Sequence, residues 1–242
     1  MREIRIYQPG EYAVGQQIEL SSEASQHVAV VLRMQPGQLI TLFSGDNHEY
    51  ASTIVSAKKK QTLVLIDSIK AINRESSLKI HLAQGISKGE RMELVMQKSV
   101  ELGVASITPL ITQHCAVKLD KERMAKKLNQ WRAIIIAACE QSGRNTIPQL
   151  NDPVTLSHYL QNMPAGLRFI LEPDAGKNWR DYEFGHKDVS LMIGPEGGLS
   201  ADEVQLACQN GFQPLSLGPR ILRTETAALT AISLLQAVGG DL

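Results

Sequence analysis

Two loops rich in glycine and proline follow apolar runs near the end of the chain, and their composition suits ligand binding. The first reads LMIGPEGGLSADE over residues 191–203, and the second reads LSLGPRILRTET over residues 215–226. Glycines let backbone amides and carbonyls approach a ligand without an intervening side chain, and prolines hold a loop in shape before the ligand arrives. Such backbone groups are suited to recognising an adenine edge or a ribose.

Neither loop has the pattern of a phosphate-binding motif. The chain contains no GxxxxGK[ST] and no GxGxxG sequence, which disfavours an ATPase or a dinucleotide enzyme. One Gly-Pro loop can be merely a tight turn. Two that follow neighbouring predicted strands favour a binding site at one edge of a sheet, where ligands of open α/β sheets bind.

The elements that must hold these loops follow the pattern of an α/β domain. The hydrophobic periodicity predicts helices through Met92–Val100, over residues 120–142 and from about Thr226 to Val238. Strands are predicted at KIHLAQGI, SITPLIT, LRFILEP, VSLMIG and FQPLSLG. Their alternation indicates a mainly parallel sheet covered by helices.

Helix starts follow both loops. Ser200 with Glu203 three positions later has the capping-box pattern. After the second loop, Thr224 or Thr226 is suited to be the N-cap of the last helix.

The first seventy residues show a different sequence pattern, in which short apolar runs alternate with turns. The short runs VAVVLRM, LITLF, ASTIVSA and LVLIDSI are separated by turn signals such as Pro-Gly and Gly-Asp-Asn. This spacing predicts a small β-barrel or sandwich, joined by the polar segment AINRESSL to the α/β part. We therefore expect a β-rich domain at residues 1–72 and an α/β domain at residues 73–242.

Composition limits the class of protein. The 25 basic and 25 acidic residues among 242 balance, which argues against indiscriminate coating of nucleic acid but allows a local basic patch. No run approaches the roughly 18–20 apolar residues of a membrane span. The start MREIRIYQPGEY lacks a signal-peptide pattern, so we expect a cytoplasmic protein.

Cysteine and histidine positions do not suggest a metal. Cys115, Cys139 and Cys208 are far apart and form no CxxC pair, which predicts buried thiols rather than a zinc site or a disulfide framework. The six histidines show no metal-ligand spacing, so no metal is expected.

Five stretches together resemble one family over essentially the whole chain. The two loops resemble the signature loops of SPOUT methyltransferases, and more narrowly the bacterial family that methylates N3 of a uridine in 16S ribosomal RNA of the small subunit. The stretches are GPEGGLS (194–200), LGPRILRTETA (217–227), HVAVVLRMQPGQ, KGERMELVMQKSVELGV (88–104) and ACEQSGR (138–144).

The resemblance implies a PUA-like β-barrel domain that binds RNA, followed by an α/β domain with a mainly parallel sheet and a trefoil knot. It also implies S-adenosyl-L-methionine as the methyl donor and a homodimer acting on 16S ribosomal RNA or the small subunit. Three loops would form the donor pocket, namely Leu171 and Glu172; Gly194, Glu196 and Gly198; and Leu217, Gly218, Ile221 and Leu222.

The reaction that the resemblance implies needs two further functions. Uracil N3 must lose a proton, and the negative charge left on the ring must be stabilised. Arg223 is our first candidate for the stabilising cation and Arg220 the second, while Glu196 and Glu225 are the candidate bases. Each also has a structural interpretation: an ion pair for Arg223, a loop hydrogen bond for Glu196 and a helix-start preference for Glu225. Solvent hydroxide or an RNA group could serve as the base instead.

An RNA strand beside the target base needs positive charge. Arg5, Arg33 and Arg144 are the candidates, with the run Lys58–Lys60 and His27 as weaker ones. The lysine run also fits a solvated hairpin turn, and Arg144 also fits the C-terminal end of a helix.

Two other functions stay open at this point. One is a methyltransferase of the same fold that acts on a different RNA nucleotide. The other is a non-catalytic RNA-binding factor in ribosome assembly, which the two intact loops disfavour.

Overall fold

The computed structural model describes residues 4–115, 120–173, 175–176, 179–181 and 188–242. The chain divides into two compact units. The first contains Met1–Glu75 and Cys139–Ile147, and the second contains Ser76–Ala138 and Pro148–Leu242. We predicted domains at residues 1–72 and 73–242, so the grouping of Cys139–Ile147 with the first unit differs from the predicted division.

The first unit is built on a five-stranded sheet of mixed direction. β1 pairs in parallel with β3, the other neighbours are antiparallel, and the order is β1-β3-β4-β5-β2. The hairpin between β4 and β5 turns at Lys59–Lys60, as predicted from the lysine run. The strands are β1 Arg5–Tyr7, β2 Gln17–Glu19, β3 Leu39–Phe43, β4 His48–Lys58 and β5 Gln61–Ala71.

The first four residues of the run VAVVLRM are helical and the last three are irregular, so our prediction of a strand there was wrong. Helix α1 covers Ser22–Gln26, and one turn of π-helix follows over His27–Val31. Ser21 starts the helix because its hydroxyl accepts a hydrogen bond from the N–H of Ala24 at 3.1 Å. Of the residues in the π-helical turn only Val28 is buried, which differs from the alternating burial of a half-buried strand.

Residues 139–147 join the first unit through buried polar contacts. Arg5 donates to the carboxylate of Glu49 at 2.6 Å and to the side chain of Asn145. The guanidinium of Arg144 pairs with the carboxylate of Glu75. Arg5 and Arg144 are only 8% and 4% exposed, so both cations lie inside this unit.

The second unit is built on a parallel sheet covered by helices, as predicted. The strand order is β12-β10-β11-β6-β7-β8, and β9 also pairs with β7. Its strands are β6 Lys79–Gly85, β7 Ser106–Ile111, β8 Gln149–Leu150, β9 Val154–Thr155, β10 Leu167–Leu171, β11 Asp188–Ile193 and β12 Gln213–Leu215. Its helices include α2 Glu90–Glu101, α4 Leu156–Gln161, α5 Ala201–Gln209 and α6 Thr224–Gly239. Helix α3, Lys121–Ser142, belongs to the second unit up to Ala138.

Local sequence explains where these helices begin and end. The predicted apolar stripe of α2 is buried, and the helix is followed by Gly103 with φ of +82°, a conformation that glycine adopts without steric cost. The capping box of Ser200 and Glu203 is present at the start of α5. The predicted threonine cap of α6 is wrong, because Arg223 is the N-cap without a side-chain hydrogen bond. Within the described ranges, no helix is apolar over a length that would cross a bilayer.

The thiols differ in burial. Cys139 is buried, and burial raises the pKa of its thiol to about 12. Cys115 and Cys208 are half-buried rather than buried as predicted.

The two Gly-Pro loops do not leave neighbouring strands, which corrects our prediction. β10 lies between β11 and β12, and both pairings are parallel. All three strands therefore end at the same edge of the sheet. The loops after β10, β11 and β12 are brought together there.

We predict that Arg144→Ala destabilises the first unit by about 3 kcal/mol, because removal of one partner of a buried ion pair leaves the carboxylate of Glu75 unpaired. Urea unfolding followed by circular dichroism measures this. The matched control is Arg132→Ala on the exposed side of α3, expected within about 0.5 kcal/mol of the parent chain. Equal stabilities of the two variants would contradict the structural role of Arg144.

Candidate functional site

A cavity of about 450 Å³ lies at the carboxyl ends of β10, β11 and β12 in the second unit. We call it the strand-end cavity. Its volume falls within the roughly 300–1,000 Å³ of small-molecule and cofactor sites. The structure brings together in its wall all the residues predicted for donor binding and catalysis, namely Leu171, Glu172, Gly194, Glu196, Gly198, Leu217, Gly218, Arg220, Ile221, Leu222, Arg223 and Glu225.

The first Gly-Pro loop, residues 194–198, is packed too closely for a side chain at its first residue. A Cβ built on Gly194 would lie 2.9 Å from the carbonyl carbon of Gly198. The N–H of Gly198 donates to the carbonyl of Pro195 at 2.9 Å, which closes the turn. A Cβ on Gly85, at the end of β6, would collide with Pro195. The loop is therefore held against the neighbouring strand by direct backbone contact.

The second Gly-Pro loop, residues 217–223, combines an unusual backbone with exposed apolar side chains. Gly218 has φ of +122°, which side-chain-bearing residues rarely adopt. Its N–H donates to the hydroxyl of Ser216 at 3.3 Å. Ile221 is 86% exposed although it is apolar, and it lines the cavity with the half-buried Leu217 and Leu222. These three side chains present an apolar surface to a flat ligand group.

Glu196 is held by two donors, one just before α2 and one in the first turn of α2. Its carboxylate accepts from the N–H of Lys88 at 2.9 Å and from the guanidinium of Arg91 at 3.0 Å. Burial alone would raise the pKa of Glu196, but these hydrogen bonds outweigh it and hold the pKa below the ordinary value. The side chain is thus a stable anion that anchors its loop.

Glu225 has a different environment in the first turn of α6. Its Oε2 atom is buried and has no hydrogen-bond partner among the described residues. Glu225 is in the wall of the strand-end cavity, so this unpaired oxygen belongs to a residue that borders the cavity.

Two exposed arginines in the second loop supply positive charge. Arg220 and Arg223 both line the cavity and are solvent-exposed. Neither forms an ion pair with a carboxylate in the described part of the chain, in contrast to Arg91. Both guanidinium groups are available to an anionic partner.

The sequence did not single out several residues of the wall. They include Arg91 and Thr224, together with Pro173, Ile193, Leu199, Leu215 and Ala227. Arg91 lies in the stretch KGERMELVMQKSVELGV, one of those that carried the family resemblance, and this was a signal for it. Thr224 was noted only as a possible helix cap.

The predicted RNA-contact residues lie in the first unit and differ in exposure. Arg33 is exposed, with φ of +54° just after the π-helical turn rather than at the end of a strand as predicted. Arg5 and Arg144 are buried and paired with carboxylates. Their geometry supports a structural role and disfavours direct contact with a phosphate.

Models of two protein domains match this chain. An RNA methyltransferase domain matches residues 74–236, and an RNA methyltransferase PUA domain matches residues 20–67. The second match agrees with the PUA-like domain expected from the sequence.

Relatives match over the full length. A methyltransferase of Legionella pneumophila, solved with the cofactor S-adenosylmethionine bound, is 62% identical with a TM-score of 0.98 over 100% of both chains. The ribosomal RNA small subunit methyltransferase E of Neisseria gonorrhoeae, bound to S-adenosylmethionine, is 38% identical with a TM-score of 0.93 over 100% of both chains. The protein of that name from Buchnera aphidicola is 36% identical over 98% of this chain and 94% of its own. The cavity contains both Gly-Pro loops, and the relatives match this chain over its full length. This chain therefore belongs to the ribosomal RNA small subunit methyltransferase E family.

Proposed function

We propose that this protein binds S-adenosyl-L-methionine in the strand-end cavity and methylates N3 of one uridine in 16S ribosomal RNA. The observation that carries the proposal is the convergence of three loops on one cavity, in a chain 62% and 38% identical to proteins solved with that cofactor bound. The donor would supply a methyl group already activated on a sulfonium, so this chain's residues need to position the acceptor and remove its proton.

The wall of the cavity fits the donor by chemical type. Leu217, Ile221 and Leu222 offer apolar contact to an adenine ring. Gly194, Gly198 and Gly218 have no side chain of their own to keep a ligand away from the loop backbone. Leu171, the last residue of β10, and Glu172, which follows it, complete the third side.

Arg223 is the residue that we assign to the developing negative charge on uracil. Loss of the N3 proton spreads charge onto the ring oxygens, and a guanidinium donates hydrogen bonds to such oxygens. Arg223 is exposed, lines the cavity and forms no ion pair among the described residues. Arg220 has the same properties and is the second candidate.

The two candidate bases are distinguished by their contacts. Glu196 is engaged by Lys88 and Arg91 and its pKa is lowered, which makes it a weaker base. Glu225 has a buried oxygen without a partner in the described chain. We therefore assign proton removal to Glu225 and loop anchoring to Glu196.

The RNA strand would lie along exposed cations. Arg33 in the first unit remains our candidate for a phosphate contact, and the lysines of the β4–β5 turn add charge. The target base must leave its stack to reach the cavity. A homodimer, a trefoil knot, a cytoplasmic location and the absence of a metal stay predictions from the family resemblance and the sequence.

We predict that ribosomal RNA from cells lacking this protein loses one N3-methyluridine in 16S RNA. A methyl group at N3 blocks base pairing, so one reverse-transcription stop disappears, and mass spectrometry of nucleosides identifies the lost species. Restoring the gene restores the stop. Loss of a 2′-O-methyl group or of a transfer-RNA modification instead would point to another nucleotide, and an unchanged profile would point to a non-catalytic factor.

Arg223→Ala is expected to slow single-turnover methyl transfer about 100-fold, because one stabilising donor is removed from the charged transition state. Donor affinity, measured by calorimetry, stays near that of the parent chain. Arg132→Ala, on the exposed side of α3, is the control and keeps the parent rate. A normal rate for Arg223→Ala would remove Arg223 from the reaction and leave Arg220 as the cation to test.

Glu225→Gln and Glu196→Gln are expected to separate the two carboxylates. Glu225→Gln slows the chemical step about 100-fold, because the proton acceptor is lost. Glu196→Gln weakens donor binding about tenfold at pH 7, because the charge-assisted hydrogen bond to Arg91 is lost. If both variants slow chemistry and neither weakens binding, the assignment of roles is wrong.

The pH dependence of donor binding provides a second test of Glu196. A carboxylate whose pKa is lowered on folding stabilises its loop above its ordinary pKa, and this contribution is lost as the pH falls through the lowered value. Calorimetry should therefore show donor affinity in the parent chain falling as the pH drops below the ordinary carboxyl range and through the lowered pKa of Glu196, whereas Glu196→Gln shows a flatter profile. Circular dichroism at each pH confirms that the protein remains folded. Parallel profiles would contradict the anchoring role.

A further inference from the structure

A buried hydrogen-bond chain connects the two Gly-Pro loops below the strand-end cavity. The hydroxyl of Thr224 donates to the carbonyl of Gly194 at 2.6 Å. The same hydroxyl accepts from the side-chain amide of Gln84 at 2.9 Å. Thr224 is 7% exposed and Gln84 is fully buried, so solvent does not compete for these bonds.

The direction of each bond follows from the groups around it. The amide nitrogen of Gln84 faces three oxygens: the hydroxyl of Thr224, the carbonyl of Gly85 at 3.2 Å and the carbonyl of Gly194 at 3.5 Å. Only the N–H end of the amide can donate to all three. Because the hydroxyl of Thr224 has one proton and the carbonyl of Gly194 can only accept, that proton points to Gly194.

The three residues belong to different elements. Gln84 is near the end of β6 and lies opposite Ile193 in the register with β11. Gly194 is the first residue after β11, and Thr224 is the first residue of α6. One hydroxyl therefore sets the distance between the start of the first loop and the end of the second.

We infer that Thr224 is a positioning residue for the methyl donor, acting through the carbonyl of Gly194 and the start of α6. The inference rests on the proposed donor-binding function of the strand-end cavity. With the carbonyl of Gly194 turned toward Thr224 and Gln84, the peptide plane before Pro195 is fixed. Fixing both loops before the donor arrives lowers the entropy cost of binding.

The role differs from that of a helix cap or a core residue. A cap would accept from a backbone N–H of its own helix, and Thr224 does not do so in the contacts described. A core residue would affect stability and leave the affinity of the folded protein for the donor unchanged. The positioning role predicts that substitution of Thr224 weakens the affinity for the methyl donor more than the affinity for the RNA substrate.

The test compares Thr224→Val with Thr224→Ser. Valine keeps the shape and removes both hydrogen bonds, so we expect donor affinity in calorimetry to fall about tenfold. Serine keeps the hydroxyl and should stay within about threefold of the parent chain. Thr226→Val, at an exposed threonine in the same helix turn, is the matched control and should bind as the parent does.

Kinetics and a second variant complete the test. For Thr224→Val the KM for S-adenosylmethionine should rise about tenfold, while the KM for small ribosomal subunits stays unchanged. If Thr224→Val does not fold, as judged by circular dichroism, Gln84→Met is tested in its place. It removes the hydrogen bond from the Gln84 amide to Thr224 and should weaken donor binding about threefold.

The outcomes separate this inference from the proposed function. If the parent chain does not bind S-adenosylmethionine, the proposed function fails. If the parent binds it and the folded Thr224→Val variant binds equally well, the positioning role is overturned. An equal loss of donor affinity in Thr226→Val would also overturn it. If Thr224→Val does not fold, parent-like donor affinity in Gln84→Met overturns it.

Discussion

The common direction of β10, β11 and β12 is the constraint on which the site depends. Parallel pairing places the carboxyl ends of these strands at one edge, although they are far apart in sequence. The loops that follow then share one cavity, and long-range side-chain contacts such as those of Glu196 and Thr224 hold the first loop in place there. An antiparallel strand in the middle would have sent its loop to the opposite edge. Strand direction, more than any single residue, thus assembles the wall.

The sequence predicted the site better than it predicted the first unit, and the physical reasons differ. Gly-Pro loops after apolar strands depend on local backbone chemistry, which is visible in a few consecutive residues. The run VAVVLRM looked like a strand because three of its residues are valines, which are β-branched, yet Ser21 begins a helix and the turn that follows buries Val28 in the core of the first unit. The pairing of Arg144 with Glu75 joins residues 69 positions apart, and no local pattern reveals it.

Charge around the strand-end cavity is organised by pairing. Glu196 and Arg91 neutralise one another at one side, while Arg220 and Arg223 remain without a carboxylate partner in the described chain. The unpaired oxygen of Glu225 lies in the first turn of α6, where the helix dipole already favours an anion. The cavity therefore has a fixed ion pair on one wall and charged groups without a charged partner in the described chain on another. Under the proposed function, this asymmetry separates residues that shape the site from residues that contact the substrate.

The return of residues 139–147 to the first unit has a consequence for fragment design. A polypeptide ending at residue 75 would contain every strand of the five-stranded sheet but would leave Glu75 without Arg144, and Arg5 without Asn145. Uncompensated buried polar groups favour aggregation or partial unfolding of such a fragment. An autonomous version of this PUA-like unit would need residues 139–147 joined to it through a designed linker.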